Sequence, residues 1–214
     1  MHSNQLPSCE NVVAVADEPH HHLVIDNEWI RAYAVEIGPR QSTLCHVHSL
    51  PYLMYVAGDA EIISAPKDGD ARKHRYLDMY CEFSPAGLQH VVENLATSPF
   101  RNLIFEVLPG AEKTRRAGLP FASAAGVRAR ALYSGDSICA QFLELSSGAQ
   151  TQVTGPAIVG SAYEDVIEVI SPEGGARKLN NFQQLEYVPE GSTGLVRCES
   201  GNPARVIVVS VGCE

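Results

Sequence analysis

Two histidines separated by one residue, His46 and His48, are the first feature of the sequence that could do chemistry. They lie in the stretch CHVHSLPYLMYVAG, whose Val and Tyr content indicates β-strand. In a strand, residues two apart share a face, so both imidazoles can reach one metal ion. Because the chain has eight histidines, such a pair also arises by chance, and a metal site needs a third partner.

A third histidine, His90, follows a turn in the stretch PAGLQHVVEN. Pro85 has a fixed φ angle and Gly87 can adopt a positive φ, so this turn delivers His90 to the start of an apolar strand. A tight turn that ends on a histidine is well suited to present a metal ligand. His90 is therefore the candidate third partner of His46 and His48.

Together, these stretches resemble the two conserved motifs of the cupin superfamily. The matching positions are Gly38, His46, His48, Tyr52 and Gly58 in the first motif, and Pro85, Gly87, His90 and Asn94 in the second. The chain departs from the family in three ways: seven residues instead of five separate Gly38 from His46, Tyr52 stands where the family has glutamate, and Met79 replaces a leading glycine. The resemblance implies a double-stranded β-helix barrel, similar to a jelly roll, with a metal bound by the three histidines.

Three neutral imidazoles with open coordination positions suit a divalent transition metal such as Fe, Zn, Ni or Cu. Such an ion polarises a bound oxygen, activates water or binds dioxygen. Tyr52 in place of glutamate removes a negative charge, which disfavours hard ions such as Mn. Tyr52 is the candidate catalytic residue: its phenol could hydrogen-bond the substrate or a metal ligand, ligate the metal as a phenolate, or only pack.

The other histidines and the cysteines give weaker indications of a functional site. The tract His20–His22 has the composition of a small metal-binding segment, but consecutive strand residues alternate faces, so its three side chains do not converge easily. Cys45 points away from its neighbour His46 in a strand, which argues against a Cys–His nucleophile. The six cysteines include no close pair, so we expect reduced thiols.

Short runs rich in Val, Ile, Tyr and Phe, separated by Gly, Pro, Asn and Asp, predict an all-β fold. Pro85 and Pro189 begin similar stretches 104 positions apart, and Pro99 and Pro203 do the same at an equal offset. An equal offset in two places predicts an internal repeat, and hence two tandem cupin barrels, a bicupin.

The two barrels are expected to differ in function. Gly194 occupies the position that aligns with His90, and Cys198 the position that aligns with Asn94, so the second barrel should bind no metal. The predicted domains are an N-terminal arm (1–19), a cupin barrel with the metal site (20–109), a linker (110–126) and a degenerate cupin barrel (127–214).

Composition limits the possible partners. The 25 acidic residues against 16 basic ones give a formal net charge of -9, which disfavours nucleic acid. The sequence has no apolar run near the roughly 18 residues of a membrane span and no export signal, so we expect no membrane partner and a cytoplasmic location. The expected partner is a small-molecule ligand or substrate, and the protein is expected to be a monomer or a homodimer.

These observations favour a metal-binding cupin that acts on a small molecule. The resemblance to cupin oxygenases with a three-histidine site, which fits the loss of the glutamate, implies a mononuclear non-haem dioxygenase-like enzyme. One alternative is a metal-dependent isomerase or hydrolase. A second is a non-catalytic cupin that binds or senses a small molecule, and a third is a scaffold that dimerises through its sheet edges. The substrate is not visible in the sequence, because one fold supports many chemistries.

Overall fold

The computed structural model describes residues 9–111 and 124–212. Within these ranges the regular structure is nineteen β-strands and one 3-10 turn, Val15–Asp17. None of the described residues belongs to a helix long and apolar enough to cross a membrane. The all-β prediction is confirmed.

The strands are numbered in chain order. The first ten are β1 (Val13–Ala14), β2 (His21–Asp26), β3 (Ile30–Ile37), β4 (His46–His48), β5 (Tyr52–Ala57), β6 (Ala60–Pro66), β7 (Arg72–Tyr76), β8 (Cys81–Ser84), β9 (Leu88–Asn94) and β10 (Phe100–Val107). The other nine are β11 (Val127–Ser134), β12 (Ile138–Leu145), β13 (Gln150–Thr154), β14 (Ala157–Ser161), β15 (Ile167–Ile170), β16 (Ala176–Leu179), β17 (Leu185–Val188), β18 (Thr193–Cys198) and β19 (Ala204–Val211).

The described chain forms two compact units. The first contains the residues up to Leu23 together with Arg31–Glu106, and the second contains Val24–Ile30 together with the residues from Val107 onward. Residues 1–8 of the predicted arm and 112–123 of the predicted linker lie outside the described ranges. The predicted domain boundaries therefore stay predictions.

The strands of the first unit belong to two five-stranded sheets, in the orders β1-β4-β9-β6-β7 and β2-β3-β10-β5-β8. Strands of both sheets turn apolar side chains into one shared core, as alternation along a half-buried strand requires. The core residues are Val15, Tyr33, Val35, Ile37, Tyr52, Val56, Ala60, Ile62, Tyr76, Val92, Phe100 and Ile104. Strands β4 and β9, which carry the predicted ligands, are neighbours in the first sheet, so their inward side chains face the second sheet.

Asn94, the last residue of the second motif, has a structural role. Its side chain is fully buried, and its amide nitrogen donates hydrogen bonds to the carbonyls of Ile37, Gly38 and Ser98 at 2.8–3.2 Å. Its amide oxygen accepts the backbone N–H of Ala96 at 2.9 Å. Asn94 thus ties the end of β3 to the turn after β9, which fixes the strands around the predicted site.

The second unit repeats this topology. Its sheets have the orders β11-β12-β19-β14-β17 and β13-β18-β15-β16, so that β12, β19, β14 and β17 follow one another as β3, β10, β5 and β8 do in the first unit. Strand β19 also starts and ends 104 residues after β10, at the offset found in the sequence. This agreement is what an internal repeat would produce; the repeat itself stays a prediction.

The second unit has no ligand side chain at the positions that correspond to the three histidines. In the first unit His46 pairs with His90 across β4 and β9. In the second unit Gly194, offset from His90 by 104 positions, pairs with Val153 of β13, and the residue two further along is Gly155. None of the side chains of these three residues binds metals. That the second barrel binds no metal stays a prediction.

Candidate metal centre

The pairing of β4 with β9 brings the predicted ligands together. His46 lies directly opposite His90, and cross-strand neighbours on one face are about 5 Å apart. His46 and His48 are 1% and 2% exposed, whereas Val47 between them is half-buried, so both imidazoles point inward. Gly87 has a φ of +96° and donates its N–H to the carbonyl of His48 at 2.7 Å, so the turn before β9 has the predicted conformation.

Four imidazoles, not three, meet inside the first unit. We call His21, His46, His48 and His90 the histidine cluster; every member is buried. The Nε2 atoms of His46 and His90 are 3.1 Å apart. One ligand atom each from His21, His46 and His48 lies within 4.8 Å of the other two. The sequence prediction of His46, His48 and His90 as the metal ligands therefore names three members of a larger group.

His21 reaches the cluster from the first residue of β2. Its neighbour His22 is exposed, so alternation sends only one side chain of this part of the tract inward. The ring of His21 lies 4.7 Å from that of His46 and 5.9 Å from that of His48, measured between centroids. The Nδ1 atom of His21 is 2.6 Å from the carboxylate of Glu18, which is itself 1% exposed.

Hydrogen bonds at Nδ1 orient three of the four rings. His46 Nδ1 lies 3.0 Å from the carbonyl of Leu44, and a carbonyl only accepts, so Nδ1 carries the proton and Nε2 keeps its lone pair. His90 Nδ1 lies 3.0 Å from the hydroxyl of Ser64, which can accept or donate. An acceptor on the outer nitrogen is the arrangement that commonly accompanies a metal on the inner one.

Two properties of the histidine cluster fit a metal ion: the distances between its nitrogen atoms, and a buried ring nitrogen without a hydrogen-bond partner. Two nitrogens that bind a tetrahedral ion at 2.0–2.1 Å are about 3.3 Å apart, close to the 3.1 Å between His46 and His90. The ligand atoms of His21, His46 and His48 lie within 4.8 Å of one another, and hence at most about 2.8 Å from a common centre, so each of these three rings needs to move less than about 1 Å. The buried Nδ1 of His48 has no hydrogen-bond partner, which marks a ring whose polar groups the protein alone does not satisfy.

Burial keeps these imidazoles neutral. It lowers the pKa of His46 to about 4, with a further contribution from the charge of His21. Burial also lowers the pKa of His90 to about 3, and the charge of His46 adds to this shift. The pKa of His48 is lowered further than that of His90, again mainly by burial. Neutral imidazole is the form that binds a metal, so the free cluster is ready for an ion at neutral pH without losing protons from these three rings.

The same shifts predict how the metal-free protein responds to acid. Because the folded pKa values of His46 and His90 lie below the unfolded value near 6.5, the unfolded chain takes up protons first. The contribution of these two histidines to the free energy of unfolding is complete above pH 6.5. It is lost as the pH falls towards the folded pKa values, about 4 for His46 and about 3 for His90. Urea midpoints of chelator-treated protein should therefore fall from pH 7 to pH 4.5, and less steeply in His90→Gln than in the matched variant His74→Gln. Equal slopes for the two variants would contradict these shifts.

Tyr52 lies against the cluster as a neutral phenol. Its ring stacks on His48 with 4.2 Å between centroids and 27° between planes. Burial raises the pKa of Tyr52, and the carboxylates of Glu82 and Glu106 raise it further, although a side-chain hydrogen bond with Ser84 opposes the shift. A phenol held neutral donates a hydrogen bond and is a poor metal ligand, which disfavours the phenolate alternative.

The cluster forms part of the wall of a cavity of about 200 Å³. Apolar side chains from both sheets surround most of this space. Among the described lining residues Glu82 is the one carboxylate, and no lysine or arginine is present. The lining residues are His21, Val35, Ile37, Thr43, His46, His48, Tyr52, Met54, Ile62, Ser64, His74, Tyr76, Glu82, Ser84, Leu88, His90, Val92, Phe100, Asn102 and Ile104.

The expectation that all cysteines are reduced is wrong. Cys9 and Cys45 form a disulfide with a Cα–Cα distance of 5.0 Å. The bond is possible because β1 runs parallel to β4, with Val13 donating its N–H to the carbonyl of Cys45 at 3.0 Å. The two cysteines are 36 positions apart, and their spacing alone gives no sign of the pairing. The described free thiols are Cys81, Cys139 and Cys198.

The predicted ligand set does not contain His21, which is considered only within the tract His20–His22, and the sequence predicts no role for its partner Glu18. One signal in the sequence points to them. Glu18 and His21 are three positions apart at the start of a predicted strand, and the alternation of side chains along that strand turns only some histidines of the tract inward. Ser64, the partner of His90, sits in an ordinary strand and carries no such signal.

Comparison with known proteins finds similar folds at low sequence identity. No protein-family model and no curated protein matches the chain. AerE from Microcystis aeruginosa matches with a TM-score of 0.62 and 14% identity, over 91% of this chain and 98% of its own. Salicylate 1,2-dioxygenase from Pseudaminobacter salicylatoxidans matches at 0.61 and 14%, over 89% and 76%. A Cupin 2 conserved barrel domain protein from Leptotrichia buccalis matches at 0.55 and 9%, over 92% and 89%.

Proposed function

The chain has the fold of the cupin superfamily, with two tandem barrels, and on this premise we propose that its first barrel is a mononuclear metal centre that acts on a small molecule. The proposed ligands are His46, His48 and His90. The observation that carries the proposal is the convergence of buried, neutral imidazoles on the wall of a cavity, with inner nitrogens of two of them 3.1 Å apart.

The reaction class proposed first is dioxygenation. Fe, Zn, Ni and Cu all accept imidazole ligands, and a bound redox-active ion would supply the chemistry with dioxygen. Salicylate 1,2-dioxygenase shares the fold over most of both chains, which supports this class without fixing the substrate. Three imidazoles leave coordination positions open for a substrate and a second small molecule.

The residues around the proposed centre would position the substrate and keep water away from it. Apolar residues of β3, β6 and β10 wall the cavity and limit the entry of water. Tyr52 is proposed to donate a hydrogen bond to the substrate, because its phenol is neutral and lines the cavity beside His48. The ring stack also limits the orientations that His48 can adopt.

A metal-dependent isomerase or hydrolase is the second candidate. The observation that favours it is Glu82, which lines the same cavity and accepts a hydrogen bond from Tyr80 at 2.8 Å. A carboxylate beside a metal centre can remove a proton from a substrate or a bound water. A third candidate, a cupin that only binds or senses its ligand, needs the same cavity without turnover.

Binding of nitric oxide to the Fe(II)-loaded protein tests the dioxygenase candidate without knowledge of the substrate. A dioxygenase-type centre needs a coordination position open to a diatomic gas, so we expect the electron paramagnetic resonance signal of a ferrous nitrosyl. The Zn(II)-loaded protein serves as the blank. An Fe(II)-loaded protein that gives no nitrosyl signal would rule out dioxygenation and favour the isomerase, hydrolase or sensor.

A further inference from the structure

We propose that His21 is a fourth metal ligand and that Glu18 is the residue that positions it. This inference rests on the proposed metal centre and changes its composition from three imidazoles to four. It assigns a role to two buried polar side chains that neither cupin motif of this chain contains.

The geometry places His21 within reach of the same ion. Potential ligand atoms of His21, His46 and His48 all lie within 4.8 Å of one another. His21 and His90 both approach His46, with centroid distances of 4.7 and 4.6 Å. Both also approach His48, at 5.9 and 5.5 Å. His46 and His48 thus form a pair that the other two rings flank.

Glu18 holds His21 in the orientation that a ligand needs. One oxygen of Glu18 lies 2.6 Å from His21 Nδ1 and accepts the backbone N–H of His20 at 2.9 Å. The other oxygen accepts the backbone N–H of Leu44 at 3.2 Å. Both oxygens are therefore committed, and a carboxylate that only accepts forces the proton of His21 onto Nδ1. The Nε2 lone pair is left free for an ion, as in carboxylate–histidine–metal arrangements.

Glu18 also places a carboxylate beside the histidine cluster. The position at which the cupin motif has glutamate holds Tyr52. The Glu18 carboxylate is joined to the proposed centre through the ring of His21 rather than by direct ligation.

A purely structural role for the pair makes a different prediction from a ligand role. If His21 and Glu18 form only a buried hydrogen bond, then His21→Asn should preserve their function, because the asparagine amide can replace the Nδ1–H donor. If His21 is a ligand, this substitution removes Nε2 and with it one bond to the metal. The exposed neighbour provides a matched control, His22→Asn.

The test uses Co(II) as the probe and proton NMR as the readout. Each imidazole that binds Co(II) through one ring nitrogen gives one strongly shifted resonance from the N–H on its other ring nitrogen, and this resonance disappears in deuterated water. We expect four such resonances in the unaltered protein and in His22→Asn, and three in His21→Asn. Co(II) affinity should fall roughly 100-fold in His21→Asn, since the loss of an orienting partner alone costs about 10–100-fold.

Glu18→Gln tests the positioning role separately. It should keep four shifted resonances, move the one from His21, and weaken Co(II) binding by about 10–100-fold, whereas the exposed neighbour variant Asp17→Asn should leave affinity unchanged.

Three shifted resonances in the unaltered protein, with unchanged affinity in His21→Asn, would overturn the fourth ligand and leave the three-histidine centre intact. An unaltered protein that binds no Co(II) would overturn both. The resonance count of the unaltered protein decides the question even if His21→Asn does not fold.

Discussion

His90→Ala should leave the purified protein without its metal. His90 is the one predicted ligand supplied by the second motif, and its Nε2 lies 3.1 Å from that of His46. Removing the ring takes away one bond to the ion and leaves a gap in the wall of the cavity. Because loss of a residue that merely orients a ligand costs about 10–100-fold in metal affinity, loss of the ligand itself should cost at least about 100-fold.

The comparison for this variant is His74→Ala. His74 also lines the cavity, but its ring stacks on Tyr76. Metal content, measured per folded chain by elemental analysis, should be retained in His74→Ala and lost in His90→Ala. Undiminished metal in His90→Ala would refute the assignment of this histidine.

Cys9→Ser should strongly destabilise the first unit. The disulfide with Cys45 joins positions 36 apart, and closing a loop of this length restricts the unfolded chain by an amount equivalent to about 4 kcal/mol. Cys45 also precedes His46, and β1 pairs with β4 at Val13 and His46, so the bond holds the N-terminal segment against the strand that carries two predicted ligands.

Urea unfolding measures this effect with two controls. A reducing agent added to the unaltered protein should lower the midpoint as Cys9→Ser does, and Cys81→Ser, at a free thiol, should leave it near the original value. A midpoint that responds neither to the reductant nor to Cys9→Ser would contradict a disulfide in the folded protein. Because structural disulfides persist in oxidising compartments, the bond also weighs against the predicted cytoplasmic location, which stays a prediction.

Local pattern was enough to predict the part of the site that lies on one strand or one turn. His46 and His48 face the same way because side chains alternate along a strand, and Gly87 adopts the positive φ that the turn before His90 needs. Each of these features depends on a few neighbouring residues. Their meeting in space was inferred from the resemblance to a family rather than from the residues.

The features that the sequence did not predict depend on contacts between distant segments. His21 joins the cluster because β2 begins beside it, and Cys9 meets Cys45 because β1 lies next to β4. No periodicity in a single chain encodes which strand lies beside which. For Tyr52 the sequence predicted one feature and not the other. Its inward orientation follows from the alternation of side chains along the strand, whereas its stacking on His48 does not.

Elemental analysis of the protein purified without an affinity tag tests the central claim most directly. A centre built on His46, His48 and His90 should retain roughly one Fe, Zn, Ni or Cu ion per chain, because buried neutral imidazoles bind such ions tightly. The opposite result is protein that carries no transition metal and takes none up from an excess of Fe(II), Zn(II), Ni(II) or Cu(II). In that case the histidine cluster would be a polar core, and the metal centre would have to be abandoned.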